Sequence, residues 1–228
     1  LFDIVIEGKG ISKEFRSGRG RVQALADVSF SIETGKAVAV VGKSGSGKTT
    51  LLNCVGGLER PERGKVSCFG VDILSLSGKA LCLFQRRNAG FVFQYGNLLS
   101  YLTVFENVAF PLTLNGIRGK GKEKRVRELL ERIGLPDVGA ALPHELSGGE
   151  LQRVSVARAI AHSPKMLLAD EPTSSLDSTT GWNLIELMFD MGKEQGCTMV
   201  VSTHDPEIID LADASIHLRD GKITKEDR

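Results

Sequence analysis

The chain has almost no charge excess: 29 Lys and Arg stand against 28 Asp and Glu, a formal net charge of +1. Proteins that grip a nucleic acid duplex ordinarily show a clear basic surplus, so nucleic acid is not an expected partner. Nowhere do apolar residues run to the ~18 that a membrane-crossing helix needs, which excludes direct membrane insertion by that route. The opening stretch "LFDIVIEGKG" carries Asp3 and Glu7 and lacks a basic start followed by an apolar run, so it is not a signal peptide. It begins at Leu1 rather than Met, as a trimmed domain of a longer chain would. Cys54, Cys68, Cys82 and Cys197 include no Cys-x-x-Cys pair, and they read as buried thiols in a reducing compartment rather than as a metal site or a disulfide framework. By itself such a chain is expected to be cytosolic. With 41% hydrophobic and 25% charged residues in 228, it has the composition of a soluble globular protein with a real core.

Short alternating segments come first. "DIVIEGKGISKEF" and "QALADVSFSI", separated by the Gly/Arg-rich "RSGRGR", read as an antiparallel hairpin. "KAVAVVG" is a continuous β-branched run, the mark of a strand buried on both faces, and it leads into a helix over "KTTLLNCVGGL". Strand signals follow at "KVSCFGVDI" and "RRNAGFVFQ". Between about Asn97 and Glu145 the pattern turns helical, with Val126, Leu129, Leu130 and Ile133 spaced along one helix face. The "GKGKEKR" run at its front reads as a solvated helix start. "KMLLAD" and "TMVVSTH", with the helical "TTGWNLIELMFDMGKEQG" between them, have the strand–helix–strand order of a parallel sheet.

"GKSGSGKT" fits G-x-x-x-x-G-K-[ST] in full and lies between a buried strand and a helix, where that motif belongs. Gly42, Lys43, Ser44, Gly45, Ser46 and Gly47 form a loop whose backbone N–H groups can curl around phosphate oxygens. Lys48 is expected to reach the outer phosphates, Thr49 to complete a Mg²⁺ shell, and Thr50 to continue the nucleotide contact. Asp170 and Glu171 end the apolar "MLLADE", at the carboxyl edge where open α/β sheets bind ligands. Adjacent strand residues face opposite ways, so Asp170 is assigned to the metal and Glu171 to the attacking water. Gln94, after "GFVF", is a weaker candidate for metal or water, and His204, after "VVST", for a hydrogen bond to the terminal phosphate.

A second helix start looks ready for an anion. In "LSGGELQRVSVARAIAH", Leu151, Val154, Ala157 and Ala161 mark a buried stripe, and Ser147, Gly148 and Gly149 leave the first N–H groups open. A positive helix end attracts an anion, yet the chain's own phosphates already have the Lys48 loop. The second site makes sense if the phosphate belongs to another copy. Two chains would then bury two ATP molecules in an isologous homodimer.

In this order the motifs closely resemble the nucleotide-binding domain of ATP-binding cassette (ABC) transporters, over essentially the whole chain. The resemblance identifies "GKSGSGKT" as the Walker A loop, "MLLADE" as Walker B with the catalytic Glu171, and "LSGGE" as the signature, including Glu150 where Gln is commoner. It makes Gln94 the Q-loop glutamine, His204 the switch histidine and Asp177 of "SSLD" a contact across the dimer. Phe15 stands where an aromatic ring, usually Tyr, stacks on adenine. The implied fold is α/β: a RecA-like P-loop NTPase core with a parallel sheet, an N-terminal antiparallel β subdomain and an inserted helical subdomain. One ABC ATPase domain is expected to fill the chain, its core at about 1–96 and 150–228 and its helical part at about 97–149. The resemblance also implies a homodimer in the ATP-bound state, an integral membrane permease as partner, and a place at the cytoplasmic face of the inner membrane.

"RRNAGFVFQYGNLLSYLTVFENVAFPL", "DEPTSSLDSTTG" and "GVDILSLS" look like the branch of lipoprotein-releasing, macrolide-exporting and cell-division ATPases, although Ser174–Ser175 stand where Gly-Asn is frequent there. An ATPase switch for a non-transporting envelope complex is the alternative. Leu98, Leu99, Tyr101, Leu102 and Phe105 are candidates for the groove that receives a permease helix. Thr50 to Glu145 is too short for the coiled-coil insertion of a DNA-repair cassette protein, and a small-molecule kinase would lack "LSGGE".

Overall fold

A computed structural model describes residues 3–18 and 20–227; Arg19, in the expected hairpin turn, lies outside the described residues. The described chain forms two compact units, one running up to Gln85 and resuming at Thr198, the other Arg86–Cys197.

In the first unit β1 (Ile4–Ser17) and β2 (Gly20–Glu33) form the expected antiparallel pair, with Gly8 opposite Phe30, Ile11 opposite Val28 and Phe15 opposite Val22. Alternation, shifted in phase by irregularities at Gly10 (φ 60°) and Asp27 (φ 57°), sends Ile6, Ile11, Leu25, Val28, Phe30 and Ile32 into the core. β3 (Ala37–Val41) is buried over its first four residues, as its unbroken apolar run requires, and α1 (Lys48–Val55) follows the glycine loop. The helix stops at Gly56, short of the expected Leu58, because Gly57 takes the left-handed conformation (φ 68°) and turns the chain away. β4 (Arg63–Cys68) and β5 (Val71–Asp72) complete an antiparallel sheet in the order β2-β1-β4-β5. The helix α2 (Gly78–Asn88) is absent from the sequence reading and takes up Arg86–Asn88, expected in the strand over "RRNAGFVFQ"; none of its residues is buried, so it shows no core-facing stripe.

In the second unit β6 (Ala89–Val92) runs parallel to β7 (Met166–Asp170), with Ala89 opposite Met166 and Val92 opposite Ala169. α3 (Val104–Leu114) opens on a Thr103–Glu106 capping box, and α4 (Gly119–Arg132) buries Val126, Leu129 and Leu130 as its spacing predicts. α5 (Gly148–Ile160) and α6 (Ser178–Glu194) complete the unit. The burial of α5 is wider than a stripe. Gln152, Ser155, Val156, Ala159 and Ile160 are buried together with Val154 and Ala157, while Leu151 is only half-buried. The reason is that α3, α4, α6 and β6 all pack on this helix. At Gly90 a side chain would collide with the Ala159 carbonyl, so glycine permits the close approach of β6 to α5.

Back in the first unit, β8 (Thr198–Thr203) runs parallel to β3 on one side. After α7 (Pro206–Leu211), β9 (Ala214–Arg219) runs parallel to β3 on the other, and β10 (Lys222–Asp227) pairs antiparallel with β9. The order is β10-β9-β3-β8, so β3 lies inside the sheet with its carboxyl end aimed into the Gly42 loop. The β9–β10 hairpin was not anticipated, although Asp220-Gly221, both at positive φ (50° and 75°), is a strong hairpin signal.

Three cysteines are buried as expected, and burial pushes the Cys54, Cys68 and Cys197 thiols up to about 12. Cys82 departs from expectation: it is exposed, because α2 buries none of its residues. Among the described residues no helix is long and apolar enough to cross a membrane.

Candidate functional site

The loop from Gly42 to Gly47 carries β3 into α1. Gly45 (φ 79°) and Gly47 (φ 107°) hold backbone that a Cβ would strain, and a side chain at Gly47 would run into the Ala24 carbonyl oxygen. Gly47 occupies the N-cap of α1 without a side-chain cap, and the first turn has no acidic residue, so the positive helix end faces the loop. Lys48 is 4% exposed; its Nζ donates to the Gly42 carbonyl at 2.8 Å and the Lys43 carbonyl at 3.3 Å. The Ser46 hydroxyl is buried with no hydrogen-bond partner. A buried cation laid across two carbonyls and an unsatisfied hydroxyl in a glycine cradle fit a polyphosphate, whose oxygens serve both groups better. Lys43, Ser44, Gly45 and Thr49 are exposed, and Thr50 is half-buried in the first turn of α1.

Asp170 ends β7, half-buried. Glu171 differs from the sequence reading: it is the first residue beyond the strand and has φ 42°, rare for a residue with a Cβ. The face it presents is therefore set by the Glu171–Ser174 turn, whose hydrogen bonds run from the Ser174 N–H (3.2 Å) and hydroxyl (3.0 Å) to the Glu171 carbonyl, and not by strand alternation. Strained backbone of this kind concentrates at functional sites.

The Gln94 segment is held through its backbone by α5. Gln152 Nε2 donates to the Phe93 and Gln94 carbonyls at 3.1 and 2.6 Å, and the Arg158 guanidinium forks onto the Gly96 and Asn97 carbonyls, each at 2.7 Å. Burial pushes Arg158 down to about 10. Sequence reasoning missed both anchors, because a Gln and an Arg inside an amphipathic helix look like its polar face.

Ser147 is the N-cap of α5 in a complete capping box. Its Oγ accepts from the Glu150 N–H at 3.4 Å, while Glu150 Oε2 accepts from the Ser147 N–H at 2.8 Å and hydroxyl at 2.7 Å. This assigns Glu150 a structural task, and the Ser147 hydrogen bonds hold its carboxyl below the usual range. It also narrows the expectation of open N–H groups, since the one at Glu150 is engaged. Gly148 and Gly149 place no side chain of their own before the helix end. Asp177 likewise caps α6, accepting from the Thr180 N–H at 3.0 Å. The two helices begin side by side: a Cβ on Gly149 would lie 2.7 Å from Thr180 Cγ2, and one on Gly148 3.9 Å from Leu176 Cδ2. Two positive helix ends therefore share one patch of the second unit.

A cavity of about 270 Å³ opens on the same unit, lined by Phe91, Phe93, Leu99, Phe110, Pro111 and Arg158 among others. Of the five groove residues read from sequence only Leu99 lines it; Leu98, Leu102 and Phe105 are half-buried elsewhere and Tyr101 is 76% exposed. Phe91 and Phe93, stacked with centroids 6.0 Å apart, alternate with buried Gly90 and Val92, a period-two signal that was available in the sequence.

In the first unit His204 is exposed just beyond β8, next to Asp205, which caps α7 by accepting from the Glu207 N–H. Phe15 is 40% exposed near the end of the hairpin, opposite Val22 at 56%.

The ABC transporter family profile matches residues 25–174. The chain is 38% identical over 224 residues to the lipoprotein-releasing system ATP-binding protein LolD of Chromohalobacter salexigens, covering 98% of this chain and 94% of that protein. It is 41% identical over 219 residues to the methionine import ATP-binding protein MetN of Corynebacterium jeikeium, covering 96% and 59%. Its structure is similar to a dimeric, post-hydrolysis state of the ATP-binding cassette MJ0796 bound to ADP and Pi, with a TM-score of 0.91, 36% identity and 98% of each chain covered. That likeness carries the expected mixed α/β architecture of antiparallel β subdomain and parallel sheet.

Proposed function

Given that this chain belongs to the ABC transporter family as an ATP-binding, ATP-hydrolysing subunit, we propose that two copies close around two ATP molecules, each lending the other half of its pocket, and so drive a membrane permease. The observation that carries this reading is the pair of adjacent helix N-termini, capped by Ser147 and Asp177, a second anion-attracting patch besides the Lys48 loop, and the likeness to a dimeric cassette supports it. A phosphate held by Lys48 in one chain is the fitting anion for the Ser147–Gly148–Gly149 end of its twin.

Within each pocket Gly42 to Thr50 hold the phosphates, with Lys48 and the unsatisfied Ser46 hydroxyl facing their oxygens, and Phe15 stacks on the base. Thr49, Asp170 and Gln94 are the residues that would hold Mg²⁺, which would supply charge neutralisation for the transferred phosphoryl group. Glu171 orients the attacking water and accepts its proton, and His204 hydrogen-bonds the terminal phosphate. Product then repels across the pocket and the pair reopens.

The partner is a permease segment seated in the Phe91–Phe93–Phe110 groove, which places the chain at the cytoplasmic face of the membrane through that contact. Extrusion of a lipoprotein, peptide or drug is the favoured direction. Its support is the likeness of "RRNAGFVFQYGNLLSYLTVFENVAFPL" and "GVDILSLS" to the lipoprotein-releasing and macrolide-exporting branch, together with the similarity to LolD.

At saturating Mg-ATP the hydrolysis rate per chain is expected to rise with protein concentration in the dilute range, since two chains make one engine. A rate per chain that stays flat on dilution would contradict this.

A further inference from the structure

Phe15 lacks the hydroxyl of a tyrosine, so its only hold on a base is its ring face, and the tilt of that ring decides the contact. It sits near the turn end of the β1–β2 hairpin and is 40% exposed. Lys13, two residues earlier on β1 and therefore on the same face, is only 8% exposed. Its Nζ lies over the Phe15 ring, 5.0 Å from the centroid. The ammonium is held from below by Glu59 at 2.6 Å, Glu62 at 3.2 Å and the Arg60 carbonyl at 2.9 Å, all in the segment that follows α1. Glu62 is fixed in turn: its Oε2 accepts from the Glu14 N–H at 2.9 Å, and its own N–H donates to the Ser12 carbonyl at 2.9 Å. The hydrogen bond to Glu59, first among the causes, keeps Lys13 firmly protonated. A buried, fully partnered cation thus lies against a ring that keeps 40% of its surface exposed.

We propose that Lys13 is a positioning residue for the base, fixing Phe15 through its ring face and linking that ring, by way of Glu59 and Glu62, to the helix that carries the phosphate loop. This rests on the reading of Phe15 as the adenine-stacking ring. A Phe15 already held in place forfeits less rotational freedom when ATP binds, so Lys13 raises affinity without touching the nucleotide.

The test compares equilibrium binding of ATP and of inorganic tripolyphosphate, which has no base, to the wild-type chain, Lys13→Met, Phe15→Ala and the double variant. Lys13→Met is expected to weaken ATP about fivefold and to leave tripolyphosphate within about twofold, the size of one cation–π contact. Lys13→Arg should recover most of the ATP affinity, since a guanidinium also stacks on a ring. In the Phe15→Ala background the Lys13 change should add nothing. Equal weakening of both ligands, or a Lys13 effect that persists without Phe15, would show that Lys13 only supports the fold and would overturn the proposal. Should Phe15→Ala weaken ATP and Lys13→Met not, the positioning role fails while the stacking role of Phe15 stands. Should Phe15→Ala leave ATP untouched, the base is elsewhere and both fall. If Lys13→Met does not fold, Glu59→Gln, which loosens the cation from outside, is expected to reproduce the selective loss for ATP; unchanged ATP affinity there would count against the proposal.

Discussion

Glu171→Gln is expected to lower ATP turnover about a thousandfold, the scale of a lost general base, while ATP still binds and ATP-bound chains accumulate as dimers. The amide keeps the length of the carboxylate and suits the same backbone, so the left-handed conformation at this position (φ 42°) and the Glu171–Ser174 turn survive the change. What is lost is the group that takes a proton from water. With hydrolysis blocked, the phosphate that joins the two chains is not consumed. Light scattering in Mg-ATP should therefore report a dimer for Glu171→Gln, and a variant that remained monomeric at saturating ATP would contradict the shared pocket.

Lys48→Ala is expected to act earlier, on binding. The Lys48 ammonium is nearly fully buried in the loop and rests on the Gly42 and Lys43 carbonyls. A charge-assisted hydrogen bond from this ammonium to a phosphate oxygen contributes about 1.5–3 kcal/mol, so its loss should weaken nucleotide affinity roughly 10- to 100-fold. A fluorescent-nucleotide titration measures it. Affinity within about twofold of wild type would mean that the loop's N–H groups and Ser46 suffice without the lysine.

The parts of the site that were legible in the sequence are those whose chemistry is contiguous. The phosphate loop, the Asp170–Glu171 pair and the Ser147–Gly149 helix start each declare themselves within a few residues, because backbone curl and helix ends are local properties. The groove did not, since Phe91 comes from β6, Phe93 and Leu99 from the segment that follows it and Phe110 from α3. Nor did the placement of Glu171, whose positive φ depends on the turn after β7. Gln152 and Arg158 were hidden because their partners are carbonyls more than fifty residues away in the chain. On the fold side, continuous apolar runs and helical spacing located β3, β7, β8 and α4, while α2 left no imprint because it buries nothing. The β9–β10 hairpin differs, because its signal, Asp220-Gly221 with both residues at positive φ, is local and present in the sequence.

The central claim, that each chain completes its neighbour's pocket, is tested most directly by mixing two inactive variants. Lys48→Ala spoils the phosphate loop and leaves the Ser147 end intact. Gly148→Asp sets a carboxylate where the neighbour's phosphate would arrive, at a helix position with room for a side chain, and leaves the Lys48 loop intact. Each alone should be nearly inactive in Mg-ATP. Mixed in equal amounts, half of the dimers carry one sound pocket, and activity should return to about a quarter of the wild-type rate. A mixture no faster than the sum of its two components would contradict the account.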